Sequence, residues 1–137
     1  ADERALIGDP HVKVGLVAGD GGAVIWPQLV GFARAKEFLL TGDMLTAAKA
    51  VEMGLVNHAV PGEALDAKVA EIAAKILANP RWAVRWTKMV ANGPLKALAA
   101  QLMDASLGYE ILSNMTADRA EAVAAMREKR PARLSGE

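Results

Sequence analysis

Residues 8–22 read GDPHVKVGLVAGDGG, and this stretch decides the fold. Ala5-Leu6-Ile7-Gly8 and His11-Val12-Lys13-Val14 are short apolar pieces on either side of Asp9-Pro10, a turn-forming pair. The pattern predicts two brief strands around a turn. Four glycines then fall within Gly15–Gly22, which predicts a loop whose backbone can approach its neighbours closely. A helix is expected from Gly21 or Gly22 to Val30, kept short or kinked by Pro27 and ended by Gly31.

Outward from this loop the chain turns helical. Ala33–Leu40 reads as a helix closed by Gly42, and Thr46 is an N-cap for Ala47–Met53 with Gly54 just past the end. Leu55–Val60 is expected to be a strand or extended segment stopped by Pro61-Gly62. Leu65, Val69, Ile72 and Ile76 repeat at helical spacing within Glu63–Ala78. Asn79-Pro80 predicts an N-cap and first-turn proline for a helix to Ala91, broken by Gly93-Pro94. Leu95, Leu98, Leu102, Ala105, Tyr109 and Leu112 form one stripe on the longest helix. Thr116 opens the last, expected to run to about Arg130 and to be ended by Pro131. A small strand-bearing head (residues 1–60) followed by a helical tail (residues 61–137) is the expected organisation.

Composition narrows the function classes. Lys plus Arg and Asp plus Glu are each 16, so the formal net charge is zero and no excess basic field exists for nucleic acid or an anionic membrane. The absence of cysteine excludes disulfides, thiolate catalysis and sulfur-ligated metals, and two histidines make a poor metal site. Alanine supplies 28 of the 137 residues and aromatics only 4%, which suits closely packed helices. No apolar run reaches the roughly 20 residues of a membrane span, and no charged-then-apolar leader is seen, so a soluble cytoplasmic protein is expected.

Several stretches, in this order, resemble the crotonase superfamily, the enoyl-CoA hydratase/isomerase fold. They are Gly8–Val17, Gly19-Asp20-Gly21-Gly22, Pro27–Gly31, Ala33-Arg34-Ala35, Leu40–Asp43, Ala47–Ala50, Gly54–Asn57, Val60-Pro61, and the tail Thr116–Arg119 through Glu128–Pro131. The resemblance implies an α/β fold: the C-terminal half of a ββα spiral followed by a helical trimerisation region. It also implies an acyl-CoA substrate, coenzyme A entering only as part of that substrate, no separate cofactor or metal, and a homo-oligomer (trimer or hexamer). The N-terminal half of the same fold, with the first catalytic carboxylate and both oxyanion-hole N–H groups, is expected to be missing, so this chain alone is not expected to be a complete enzyme.

Within the resemblance, the second hydratase glutamate corresponds to His11, a departure that replaces a carboxylate with an imidazole able to act as acid or base near neutral pH. The bland alternative is a partly buried strand residue. Asp20 falls close to the functional aspartate of isomerase and dehalogenase relatives; the alternative is an N-cap for the helix that follows. Gly19 and Gly21 lack the lysine of a nucleotide loop and read as close packing beside an acyl pocket, with Leu16, Val17 and Trp26 as candidate lining or ordinary core. His58 reads as a surface residue, and Trp82/Trp86 as helix packing or a subunit contact. In the basic cluster Arg127, Lys129, Arg130 and Arg133, the resemblance points Lys129 or Arg130 at CoA phosphates; a solvated helix end is the default. Asp20 and His11 are the expected catalytic pair for hydration or double-bond isomerisation. Other crotonase reactions (thioester or C–C bond hydrolysis, dehalogenation) and a non-catalytic acyl-CoA-binding or assembly role are the rivals.

Overall fold

Asp9-Pro10 governs the local structure around it more strongly than the β-branched residues that follow. In the computed structural model, which describes all 137 residues, His11–Val14 is a single 3-10 turn, not the expected strand. The reason is local. The Asp9 side chain accepts from the backbone N–H of His11 at 3.4 Å, and the Pro10 carbonyl accepts from Lys13 N–H at 3.0 Å. An aspartate that bonds its own backbone two residues on, followed by a proline with φ preset, closes a turn before a ladder can form. Gly15 ends the turn in the left-handed region at φ 70°.

The chain forms two compact units. The first comprises residues 1–7 and 45–99. Strands β1 (Leu6–Ile7) and β2 (Leu45–Thr46) pair antiparallel, with Leu6 opposite Thr46 and Ile7 opposite Leu45. Helix α3 (Ala47–Glu52) starts at Thr46, whose hydroxyl accepts from Lys49 N–H at 3.3 Å. Leu45, Ala47, Ala50 and Met53 are the buried residues here. The expected strand Leu55–Val60 is irregular; only Val60 bridges, in parallel, to Asp2. A short 3-10 turn (Gly62–Ala64) leads into α4 (Leu65–Leu77), followed by α5 (Arg81–Ala91) and the first turns of α6 (Gly93–Ser113). Asn79 does not cap α5. Its amide donates instead to the Lys75 carbonyl at 2.6 Å, closing α4.

The second unit comprises residues 8–44 and 100–137. It holds the loop from Gly8 to Gly21, α1 (Gly22–Val30), α2 (Phe32–Thr41), the end of α6, and α7 (Ala117–Glu128). Ala18, Val24, Trp26, Val30, Ala35, Leu39, Ala122 and Ala125 form its core. Thr116 caps α7, accepting from Arg119 N–H at 3.1 Å. This helix ends before Pro131: Lys129 adopts φ 53° and Arg130 N–H returns to the Ala125 carbonyl at 3.0 Å, an αL ending. Arg130 grips Glu121 through both guanidinium NH groups, holding that carboxyl down to about 2.

Helix α7 docks on the 3-10 turn at its glycine. Arg119 Nη1 donates to the Val14 carbonyl at 2.8 Å, and a Cβ at Gly15 would lie 2.9 Å from Arg119 Cα. Gly31 also has a positive φ, 82°, but with ψ 156° it lies in an extended region used almost only by glycine, and it has open space around it. Gly31→Ala should therefore cost only this backbone strain, about 1–3 kcal/mol. Gly15→Ala should cost more than the αL strain of about 1–2 kcal/mol alone, because main chain must also move. Equilibrium urea denaturation of the two variants measures the difference.

Candidate active site

The turn-forming aspartate, the imidazole after it and the glycine-loop aspartate come together in the second unit. Asp9 is 8% exposed, and its Oδ1 is hydrogen-bonded to His11 Nδ1. The other ring nitrogen, Nε2, faces Asp20 Oδ2 at 3.7 Å, beyond hydrogen-bond length. The His11 side chain is 26% exposed and that of Asp20 59%. Asp9 thus meets one nitrogen from the protein side while the second is offered to an open carboxylate.

Asp20 also lines a cavity of about 320 Å³ with Leu16, Leu107, Glu110, Ile111 and Asn114. Glu110 Oε2 is buried there without a hydrogen-bond partner. Its neighbour is Gly19, where a Cβ would strike the Ser106 carbonyl oxygen and come within 2.7 Å of Glu110 Cβ. Gly19 is therefore glycine because α6 crosses it. Val17 N–H donates to Ser113 Oγ at 3.0 Å, a second tie between this loop and α6.

The remaining sequence candidates separate. Leu16 and Val17 line a second, apolar cavity of about 440 Å³ with Val12, Pro27, Leu39 and Leu40, and Leu16 borders both cavities. Gly21 precedes α1 at φ 138°. Asp20 makes no side-chain cap, which removes the alternative reading of that residue. Trp26 is buried on α1 with Phe38 at 6.3 Å and is not among the lining residues of either cavity. Lys129 is exposed at the end of α7. In the first unit His58 is exposed, and Trp82 stacks on Trp86 at 5.4 Å with Arg85 over Trp82.

Sequence reasoning missed Asp9 and Glu110. Asp9 was visible only as a turn former, although Asp-x-His is short enough for the carboxylate to reach the ring. Glu110 had no local signal, since only the fold brings α6 to the loop.

Asp9 raises the His11 pKa through the side-chain hydrogen bond, against desolvation, with further attraction from Asp9, Asp20 and Glu110. An imidazole whose pKa is raised, set beside a second carboxylate, can give one proton and take another, which is acid–base chemistry.

With that geometry in view, the comparisons are direct. The family model described as enoyl-CoA hydratase/isomerase matches residues 1–137. A Bacillus subtilis enoyl-CoA hydratase/isomerase, YngF, so named as a provisional assignment, is 39% identical over 99% of this chain and 52% of its own. The crotonyl-CoA hydratase of Syntrophomonas wolfei is 36% identical over 96% of this chain and 51% of its own. The crystal structure of carnitinyl-CoA hydratase from Mycobacterium avium superposes on all of this chain and 54% of its own with a TM-score of 0.94 and 29% identity. The chain belongs to the enoyl-CoA hydratase/isomerase family, a family of enzymes with the crotonase fold. It spans about half the length of these relatives.

The raised histidine has a consequence for stability. A folded-state pKa above the unfolded value of about 6.5 contributes stability that is complete below 6.5 and lost as pH rises through the folded value. Urea melts from pH 6 upward should show the wild type losing stability relative to His11→Gln, the gap closing once the imidazole is neutral in both states.

Proposed function

We propose that the full-length protein acts on an acyl-CoA thioester by enolate-stabilised proton transfer, either hydration or double-bond isomerisation, with His11 and Asp20 as the acid–base pair. The observation that carries this reading is the approach of His11 Nε2 to Asp20 Oδ2, at 3.7 Å, beside a cavity in a chain of this family. The names of the relatives support the substrate class.

For hydration, the Asp20 carboxylate takes a proton from water as the hydroxyl adds to the β-carbon of the enoyl thioester. The electron pair moves to the thioester oxygen. The His11 imidazolium then gives its proton to the α-carbon of the enolate. Asp20 is left protonated and His11 neutral, and one proton passing between them restores both. For isomerisation the base removes a γ-proton in place of a water proton. The two backbone donors that polarise the thioester carbonyl in this family are assigned by resemblance to a further half of the same fold.

Leu16 and Val17 are read as acyl-pocket residues, with Gly19 and Gly21 as the glycines that let the loop close on substrate and Trp26 as support behind them. Lys129 is read as a contact to CoA phosphates. No separate cofactor enters this scheme. Helices α4, α5 and α6 contain no buried residue, which supports an assembly surface within residues 61–137; the trimer is read from the family resemblance. A cytoplasmic setting rests on composition alone; no helix is long and apolar enough to cross a membrane.

The histidine that stands where the hydratase pattern has glutamate favours a second reading, hydrolysis of a thioester or C–C bond, since an imidazole base also activates water. Turnover of an acyl-CoA panel by the full-length protein separates the two. Asp20→Asn and His11→Gln should each lower kcat by roughly 10²–10⁴-fold on the preferred enoyl-CoA. Release of free CoA as the main product would favour the hydrolytic reading, and no turnover of any member would remove both.

A further inference from the structure

We propose that Asp9 is a positioning residue for His11: it holds Nδ1 as a permanent donor and so leaves Nε2 as the nitrogen that exchanges protons with substrate and Asp20. This deepens the proposed function, rests on it for the reaction, and stands on its own geometry for the dyad.

Three observations build it. First, Asp9 is the one buried charged residue of the chain, 8% exposed, and its Oδ1 serves both His11 groups that can reach it, the ring Nδ1 and the backbone N–H. An ionised carboxylate only accepts, so the nitrogen facing it carries the hydrogen and the tautomer is fixed. Second, the seat of Asp9 is made by a glycine. A Cβ at Gly22 would collide with Asp9 Oδ2, so the second glycine of the Gly21-Gly22 pair gives the carboxylate its room at the start of α1. Third, the ring is left with one free nitrogen, and it points at Asp20 across 3.7 Å.

The charged groups facing the imidazole are Asp9 from its own turn, Asp20 from the glycine loop and Glu110 from α6. All three favour the imidazolium, and Asp9 has the largest effect because it bonds the ring directly. Replacing Asp9 with asparagine keeps the shape and removes the charge. Asparagine can present either its oxygen or its NH₂ to Nδ1, so the tautomer is no longer fixed.

The test uses the full-length protein and reads His11 without requiring turnover. Wild type and Asp9→Asn are treated with diethyl pyrocarbonate, which modifies neutral imidazole, across a pH series, and the His11 peptide is quantified by mass spectrometry. The exposed His58 in the same digest is the reference. Asp9→Asn should move the His11 midpoint to lower pH and leave that of His58 in place. With the preferred acyl-CoA, kcat should fall by roughly 10²–10⁴-fold while KM changes little. Gly22→Ala, which displaces Asp9 without removing it, should move the midpoint in the same direction. An unchanged His11 midpoint in Asp9→Asn, in a protein with wild-type circular dichroism, would reduce Asp9 to a packing residue and overturn the proposal. Wild type inert toward every acyl-CoA but with a shifted midpoint in the variant would keep the dyad and sink the activity reading. An active wild type with an unmoved midpoint would do the reverse.

Discussion

The close approach of a glycine-rich backbone to two helices is the constraint on which the second unit depends. At Gly15 the loop lies against the first turn of α7, and at Gly19 against the middle of α6; in both places the nearest opposing atom is main chain. Main chain cannot step aside as a long side chain can, so these contacts fix distances rather than merely fill space. His11 lies within the turn that Gly15 ends, and Asp20 follows Gly19 directly. The separation of the two candidate groups is therefore set by helices near the end of the chain, through glycines that have no reactive side chain.

The alanine content finds its use in the same packing. Ala35, Ala47 and Ala50 are completely buried, Ala122 and Ala125 nearly so, and no large side chain is fully enclosed. Small residues let helices and turns meet backbone to backbone, at the expense of apolar area buried per residue. Polar ties add definition where that area is thin. Arg119 on the Val14 carbonyl joins segments far apart in sequence, and Arg130 on Glu121 ties the end of α7 back to its own helix, both with charge-assisted bonds.

Most helices were legible in the sequence because their signals are local. Thr46 and Thr116 act as the caps their positions implied, and Gly31 and Gly42 stand at the ends of α1 and α2. Two of the failures share one cause, side chains bonding to nearby backbone. Asp9 turned an apparent strand at His11–Val14 into a 3-10 turn, and Asn79 closed α4 where it was expected to open α5. The site was half legible. His11 and Asp20 stood out by residue type, whereas Glu110 became visible only once α6 lay beside Gly19. The carboxylate nearest the imidazole was hidden by its more obvious occupation as a turn former.

The unequal exposure of the two groups on the proposed proton path has an isotopic meaning. Asp20 stands open to water, so any proton it holds exchanges with the bulk far faster than a typical catalytic cycle. In the proposed scheme His11 Nε2 would be refilled from Asp20 across 3.7 Å and would inherit whatever label the solvent carries. In a double-bond shift run through this pair, the hydrogen placed on the new carbon is then drawn from the medium and not from the carbon that lost one. Under the proposed scheme the product would keep its substrate's carbon skeleton and lose its hydrogen.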